Sequence, residues 1–284
     1  MTTPTVPVPV AAGISIGALL RAAPFDTLDN RLLVAHALCL SREQLITRNQ
    51  HCLVDAEAAR INAAFARRAS GEPVAYILGS REFFGLALRV TPAVLIPRAD
   101  TELLVELALA RAAPGARVAD LGTGSGAIAI AVAKSRPDLQ VSATDVSAAA
   151  LDVARENAAL HRVRPSFLQG HWYGALAGQR FDMLVANPPY IVAGDPHLGR
   201  GDLPFEPIDA LTDHGDGLSA LRILATGASA HLLPGGWLLL EHGYDQAAAV
   251  RALLQGAGLM DIASWCDLAG IERVSGGRNA DLLP

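Results

Sequence analysis

Asn187-Pro188-Pro189-Tyr190 follows directly on Phe181-Asp182-Met183-Leu184-Val185-Ala186, a run that reads as a strand. Two prolines in series fix two φ angles and stiffen the loop. Pro188 also keeps Asn187 out of the α region. The Asn side chain is thus held in one place with an aromatic ring beside it. That pair suits a planar amide or amine nitrogen, whose delocalised lone pair makes it a poor nucleophile. Acceptors on both of its N–H bonds, the Asn187 side-chain oxygen and the Pro188 carbonyl, would turn the lone pair toward an electrophile held in line. Tyr190 would pack over the planar group. No strong general base is required, because the nitrogen becomes acidic once substituted.

A second cluster lies upstream. Val118-Ala119-Asp120-Leu121-Gly122-Thr123-Gly124-Ser125-Gly126-Ala127 runs from a strand into a helix. Glycines let the backbone turn tightly and let a ligand approach without a Cβ in the way. The helix start offers free N–H groups and a positive dipole end, which suits a dinucleotide pyrophosphate or the carboxylate of an amino-acid-like cofactor. Asp145 ends the next strand, where a carboxylate can accept hydrogen bonds from both hydroxyls of a nucleoside ribose. Neither feature separates a nicotinamide dinucleotide from another adenosine-bearing cofactor.

These residues need a sheet to carry them. Strands are expected at 117–121, 141–145, 166–169, 181–185 and 237–242, with helices at 125–135, 147–161, 218–232 and 245–257. Two short strands, near 261–266 and 271–276, close the chain. Alternating strands and helices with near-continuous apolar strands mean an open, largely parallel α/β sheet, whose carboxyl edge is where ligands bind. Upstream, residues 14–73 read as a small helical domain. Leu28, Leu32, Leu33, Ala35, His36 and Leu40 give an apolar face, with His36 as a core histidine. Ser41 and Gln44 have the form of a capping box, and Asp55 is placed as the N-cap of a third helix. Residues 74–97, with Tyr76, Ile77 and Leu78 and then alternating Leu86, Leu88 and Val90, read as a β-hairpin linker turning near Gly85. Asp100 or Thr101 is expected to cap the next helix. Residues 1–13, with Pro4, Pro7 and Pro9, read as a flexible tail, and 98–284 form the α/β domain.

The chain has 284 residues, 51% of them hydrophobic and 18% charged, enough for a buried core and roughly two domains. The net charge is -5, and Arg67-Arg68 is the one adjacent basic pair. That balance argues against direct nucleic-acid binding. Cys39, Cys52 and Cys266 are far apart, which suits reduced thiols in a cytoplasmic protein. No run of 18 or more apolar residues could span a bilayer, and no metal-ligand spacing is present.

Together these segments resemble class I methyltransferases that modify planar nitrogens, whose hallmark is an Asn/Asp/Ser-Pro-Pro-aromatic sequence after the fourth strand. Within that class the chain closely resembles the release-factor glutamine methyltransferases. The likeness runs through Gly79-Ser80-Arg81-Glu82-Phe83, Leu95-Ile96-Pro97-Arg98, Asp100-Thr101-Glu102, the glycine loop and Asn187 to Tyr190. It continues through Gly201-Asp202-Leu203-Pro204-Phe205-Glu206-Pro207, Leu240-Glu241-His242-Gly243 and Glu272-Arg273-Val274. The resemblance implies a class I, Rossmann-like sheet with a small N-terminal helical domain and a linking hairpin. It implies S-adenosylmethionine as cofactor, held by Gly122, Thr123, Gly124, Ser125, Gly126, Asp145, Trp172 (near the adenine) and Asn187. It places the substrate glutamine on Asn187, Pro188, Pro189 and Tyr190, and makes class 1 release factors the protein partner. The chain departs from the family pattern at Ala99, usually proline, which should loosen a turn. It departs again at His171, usually Asp, which removes an acid from the cofactor side.

Three other readings compete: an adenine N6-methyltransferase on nucleic acid, a glutamine methyltransferase acting on a ribosomal protein, and a nicotinamide dehydrogenase. The acidic balance disfavours the first. The 96–102 and 201–207 segments disfavour the second, and the Asn-Pro-Pro-Tyr segment is unexplained by the third.

Overall fold

The computed structural model describes residues 8–280. The chain divides into two compact units, 1–79 and 80–284.

The first unit is helical: α1 (Ile16–Ala22), α2 (Thr27–Leu38), α3 (Arg42–Thr47), α4 (Asp55–Ala69) and α5 (Val74–Leu78). Side chains of Ser15, Asp26 and Ser41 cap the first three, and Ser41 with Gln44 forms the expected capping box. Asp55 does not cap α4. Val54 holds that position, and its N–H donates to the Glu57 carboxylate (3.0 Å). The core joins Ile16, Leu33, Val34, Leu38, Ile61 and Phe65, with Phe25 edge-on to Phe65. The buried face of α2 is therefore Leu33, Val34, Ala37 and Leu38, while Leu28 and His36 are exposed. His36 is not a core histidine. Of the expected tail, residues 1–7 lie outside the described residues. Residues 8–13 include a tied segment: the Val10 backbone exchanges two hydrogen bonds with the Asn62 amide (2.8 and 2.9 Å), and Gly13 N–H donates to the Leu53 carbonyl.

Residues 74–78 form a helix, not the first part of a hairpin. Pro73 sits at its N-cap, and Gly79 follows in the left-handed region, punctuation that favours a helical turn over a strand. The hairpin is shorter and belongs to the second unit: β1 (Ser80–Phe83) and β2 (Leu86–Arg89), antiparallel. Phe84 and Gly85 both have positive φ, as a two-residue hairpin turn requires. Asn157 pins the hairpin, accepting from Arg89 N–H and donating to the Arg89 and Ser125 carbonyls.

The rest alternates as expected: α6 (Glu102–Arg111), β3 (Arg117–Leu121), α7 (Ala127–Ser135), β4 (Gln140–Asp145), α8 (Ala148–His161), β5 (Ser166–Gln169), β6 (Phe181–Ala186), α9 (Ser219–His231), β7 (Leu232–Glu241), α10 (Ala247–Gly256), β8 (Met260–Cys266) and β9 (Glu272–Arg278). The seven-stranded sheet has the order β5-β4-β3-β6-β7-β9-β8. Its first five strands are parallel, β9 runs antiparallel to both its neighbours, and β8 therefore runs in the direction of the first five. Successive residues of the central strands enter opposite clusters. Val118, Met183, Val185 and Leu239 pack on the side of α6 and α7; Ala119, Leu184, Ala186, Leu238 and Leu240 pack on the side of α9 and α10. Both faces are covered, which is why these strands read as unbroken apolar runs. Thr101 holds the N-cap position of α6, as one of the two expected residues, but its side chain makes no capping hydrogen bond. Asp100 and Thr101 close a 3-10 turn, Ala99–Thr101, which forms with alanine at position 99.

Candidate active site

The chain order reverses between β3 and β6, the switch point where an open α/β sheet binds its ligands. The register aligns the ends of four neighbouring strands. Leu121 pairs with Thr144, Asp120 with Val185, and Ala186 with Leu240. Continued to the strand ends, those pairings set Asp145, Gly122, Asn187 and Glu241 at one level. Neighbouring strands lie about 4.8 Å apart, so the Asp145 and Asn187 backbones are roughly 10 Å from each other across β3.

The glycine loop turns on three positive φ angles: 79° at Gly122, 55° at Gly124 and 82° at Gly126. Each glycine answers a different need. A Cβ at Gly126 would lie 2.8 Å from Ile130 and 3.1 Å from Ala154, so that glycine permits close packing of α7 and α8. A Cβ at Gly122 would meet the Trp172 ring. At Gly124 nothing lies within 4 Å, and the loop presents an open backbone face. Gly124 N–H donates to Asp145 Oδ2 and Ser147 N–H to Asp145 Oδ1, both at 2.9 Å. Burial pushes the Asp145 carboxyl up, and those N–H groups oppose the push. The side chains of Thr123 and Ser125 are turned inward and buried. Thr123 Oγ1 donates to Asp120 Oδ2 (2.6 Å).

Asp120 is buried and its Oδ1 has no partner among the described residues. Desolvation raises its pKa to about 7. An orphaned acceptor beneath an open glycine backbone, with a carboxylate at the end of β4, fits a cofactor that carries both an ammonium group and a ribose. Trp172 is partly buried against the α9–α10 side of the sheet, in the left-handed region (φ 47°), with exposed His171 edge-on to it at 5.5 Å.

The Asn-Pro-Pro-Tyr loop leaves the end of β6. Asn187 Nδ2 donates to Thr101 Oγ1 (3.1 Å). Tyr190 OH donates to Glu241 Oε1 (3.3 Å), and burial pushes its pKa up, so the phenol stays protonated. Gln246 Nε2 donates to the Tyr190 carbonyl (3.0 Å) while its Oε1 accepts from Gly243 N–H (2.8 Å). A Cβ at Gly217 would lie 2.5 Å from the Tyr190 carbonyl oxygen. The Asp213 carboxylate shapes that segment by accepting from the N–H groups of Gly215, Gly217 and Ser219. Among the described residues no protein hydrogen bond is made to Asn187 Oδ1 or to the Pro188 carbonyl, so both acceptors stand available.

Sequence reasoning did not assign a role to three of these positions. Glu241 is buried, its Oε2 has no partner among the described residues, and desolvation raises its pKa to about 7. Thr101, also buried, was read only as a cap. Glu206 was read only as part of a segment. Its buried carboxylate accepts from Ile96 N–H (2.9 Å) and pairs with Arg98, joining 201–207 to 94–98. The available signal was a carboxylate closing an apolar strand, Leu238-Leu239-Leu240-Glu241, which costs energy unless it has a task.

Residues 99–198 match the methyltransferase small domain family, and residues 15–79 match the PrmC N-terminal domain family. A release factor glutamine methyltransferase of Burkholderia pseudomallei is 58% identical, over 92% of this chain and 94% of that protein. One from Bordetella pertussis is 54% identical, over 91% and 97%. Among solved structures, a methyltransferase from Pyrococcus furiosus aligns with TM-score 0.54 at 18% identity, covering 76% of this chain and 97% of that one. The 16S rRNA N2 G1207 methyltransferase of Thermus thermophilus, solved with AdoMet and guanosine, aligns with TM-score 0.52 at 21% identity, covering 70% and 49%. These two likenesses establish the class I methyltransferase fold, and the curated relatives establish the family: the chain belongs to the release factor glutamine methyltransferases.

Proposed function

We propose that this chain transfers a methyl group from S-adenosylmethionine to the side-chain amide nitrogen of the glutamine in the GGQ loop of a class 1 peptide chain release factor, in support of translation termination. The observation that carries the reading is the Asn187 amide, with Nδ2 spent on Thr101 and, among the described residues, no hydrogen bond to Oδ1 or to the Pro188 carbonyl. Two acceptors on a stiff loop match the two N–H bonds of a primary carboxamide.

Bound S-adenosylmethionine supplies an electrophilic methyl group on a sulfonium centre. The backbone of Gly122 to Gly126 (with Thr123 and Ser125 contributing main chain) and Asp120 receive its amino-acid end. Asp145 would take the ribose hydroxyls, and Trp172 would lie near the adenine. Asn187 Oδ1 and the Pro188 carbonyl hold the two N–H bonds of the substrate amide, Pro189 keeps the loop rigid, and Tyr190 covers the planar group. So held, the amide nitrogen would face the methyl group in line and, once methylated, would give up its proton to water. The contribution is orientation and complementation of developing positive charge.

One glutamine side chain offers little surface, so recognition draws on the rest of the partner. The helical residues 14–73 are assigned that task, with 74–97 leading to the methyl-transferring residues 98–284. The partner is a protein and not nucleic acid or membrane, and the setting is the cytoplasm. Among the described residues no helix is long and apolar enough to cross a membrane. The test is peptide mass spectrometry of a purified class 1 release factor incubated with this protein and S-adenosylmethionine. A methyl group on the GGQ glutamine is expected; methylation elsewhere, or of nucleic acid only, would overturn the reading.

A further inference from the structure

Pro188 and Pro189 stiffen their loop but deprive it of two N–H groups. A loop so poor in donors has to be held by its carbonyls. The Pro188 carbonyl is reserved for substrate in the reading above, which leaves the Tyr190 carbonyl as the handle next to the ring. Among the described residues one side chain takes hold of it. Gln246 Nε2 donates to the Tyr190 carbonyl at 3.0 Å and to the Gly217 carbonyl at 3.2 Å. Gln246 Oε1 accepts from Gly243 N–H at 2.8 Å.

All three partners are backbone groups with fixed roles. An N–H only donates and a carbonyl only accepts, so the Gln246 amide fits one way round. The space is shaped to it. A Cβ at Gly217 would lie 2.5 Å from the Tyr190 carbonyl oxygen and 2.9 Å from Gln246 Nε2, and one at Gly243 would lie 3.0 Å from Gln246 Oε1. Gln246 also holds the N-cap position of α10, yet its side chain makes no capping hydrogen bond there. A Ser, Thr, Asp or Asn would cap the helix from that position; the longer glutamine reaches the loops instead. Beyond Tyr190, the N–H groups of Ile191 and Ala193 donate to the Leu211 and Gly215 carbonyls, both at 2.9 Å, lacing the chain to the segment that carries Gly217. Tyr190 is thus fixed at its backbone by Gln246 and at its hydroxyl by Glu241 Oε1. We propose that Gln246 is a positioning residue for methyl transfer. Its amide ties the ends of β6 and β7 and the 212–218 segment into one frame, and so aims the Tyr190 ring over the acceptor amide. It acts through Tyr190 and not on substrate. The inference rests on the glutamine-methylating reading above.

The experiment compares Gln246→Met and Gln246→Glu with the full-length wild type. Methionine keeps the length and removes both hydrogen-bonding ends. Glutamate keeps the acceptor for Gly243 N–H but sets an oxygen against two carbonyls. Measured are kcat and KM on whole release factor, S-adenosylmethionine affinity by calorimetry, and thermal melting. A misplacement of about 1 Å can cost about 10²-fold in rate, so kcat should fall by about tenfold to a hundredfold in both variants. KM and cofactor affinity should stay near the wild-type values. Gln246→Met is then repeated in a Tyr190→Ala background, where no ring remains to be aimed. There it should slow methylation little further, because residues acting as a unit are not additive. Wild-type kcat in Gln246→Met would overturn the proposal, and so would an equal fold-loss with and without the Tyr190 ring. Cofactor affinity and melting temperature falling in step with kcat would overturn it too, as the mark of mere fold support. Should Tyr190→Ala fail to fold, the single variants decide by whether kcat falls while cofactor affinity holds. Failure of the wild type to methylate glutamine would instead remove the underlying reading.

Discussion

The ring of Trp172 lies over Gly122 so closely that a Cβ on the glycine would sit 3.1 Å from Cζ3 of the indole. Two residues far apart in the chain thus share one space, and each is held in the left-handed region of the backbone map. Gly122→Ala would add both a steric push on the indole and left-handed strain of about 1–2 kcal/mol. S-adenosylmethionine affinity is expected to fall by roughly tenfold, since about 1.4 kcal/mol is a factor of ten. Titration calorimetry checks this, and unchanged affinity would show that the indole yields freely.

Asp145 and Asn187 should separate binding from chemistry. Asp145→Ala removes an acceptor meant for the ribose and also frees Gly124 N–H, so cofactor affinity should weaken by about 1.5–3 kcal/mol. Asn187→Ala should leave that affinity near normal while kcat drops about 10²–10³-fold. Calorimetry and single-turnover methylation on the same two variants decide the matter. An Asn187→Ala protein that cannot bind cofactor yet still turns over would reverse the assignments.

Glu241 makes stability respond to pH. Its pKa is raised from 4.5 to about 7 by desolvation, so the folded chain binds a proton that the unfolded chain has lost between those values. Stability contributed by the neutral carboxyl is full below the lower value and declines as pH rises toward about 7, by at most about 1.4 kcal/mol per pH unit. Buried Asp120 adds to the same slope. In Glu241→Gln the slope should be shallower, which denaturant titrations from pH 5 to 8 will measure.

The division of the chain at Gly79 gives a fourth test. A protein shortened to residues 80–284 retains the whole sheet, the hairpin and the row of strand ends. It should bind S-adenosylmethionine as the full chain does. Methylation of whole release factor should slow greatly, while a short glutamine peptide is affected much less. Equal rates on whole factor for long and short chains would remove substrate selection from the helical unit.

What could be read from sequence was whatever the backbone itself imposes. Three glycines, two prolines and unbroken apolar strands leave few conformations, and the order of strands and helices followed from them. Phase was harder. In α2 so many positions are apolar that periodicity alone chose Leu28 and His36, both exposed, over the buried Val34 and Ala37. The run Val74–Leu78 was too short for its period to tell helix from strand, and Pro73 with Gly79 carried the deciding signal. Glu241 gains meaning only when β6 and β7 come side by side, a relation between chain segments that no local pattern encodes.

The row of strand ends also sets what change this protein can absorb. A side chain's face alternates with every residue of a strand, so one residue inserted in β6 would swing Asn187 away and bring Ala186 into its place. Loops beyond the row can lengthen, shorten or exchange sequence without disturbing its spacing, because hydrogen-bonded ladders and not the loops keep the measure. Partners can therefore diverge along the rim, while the lengths of β3, β4, β6 and β7 stay locked to one another.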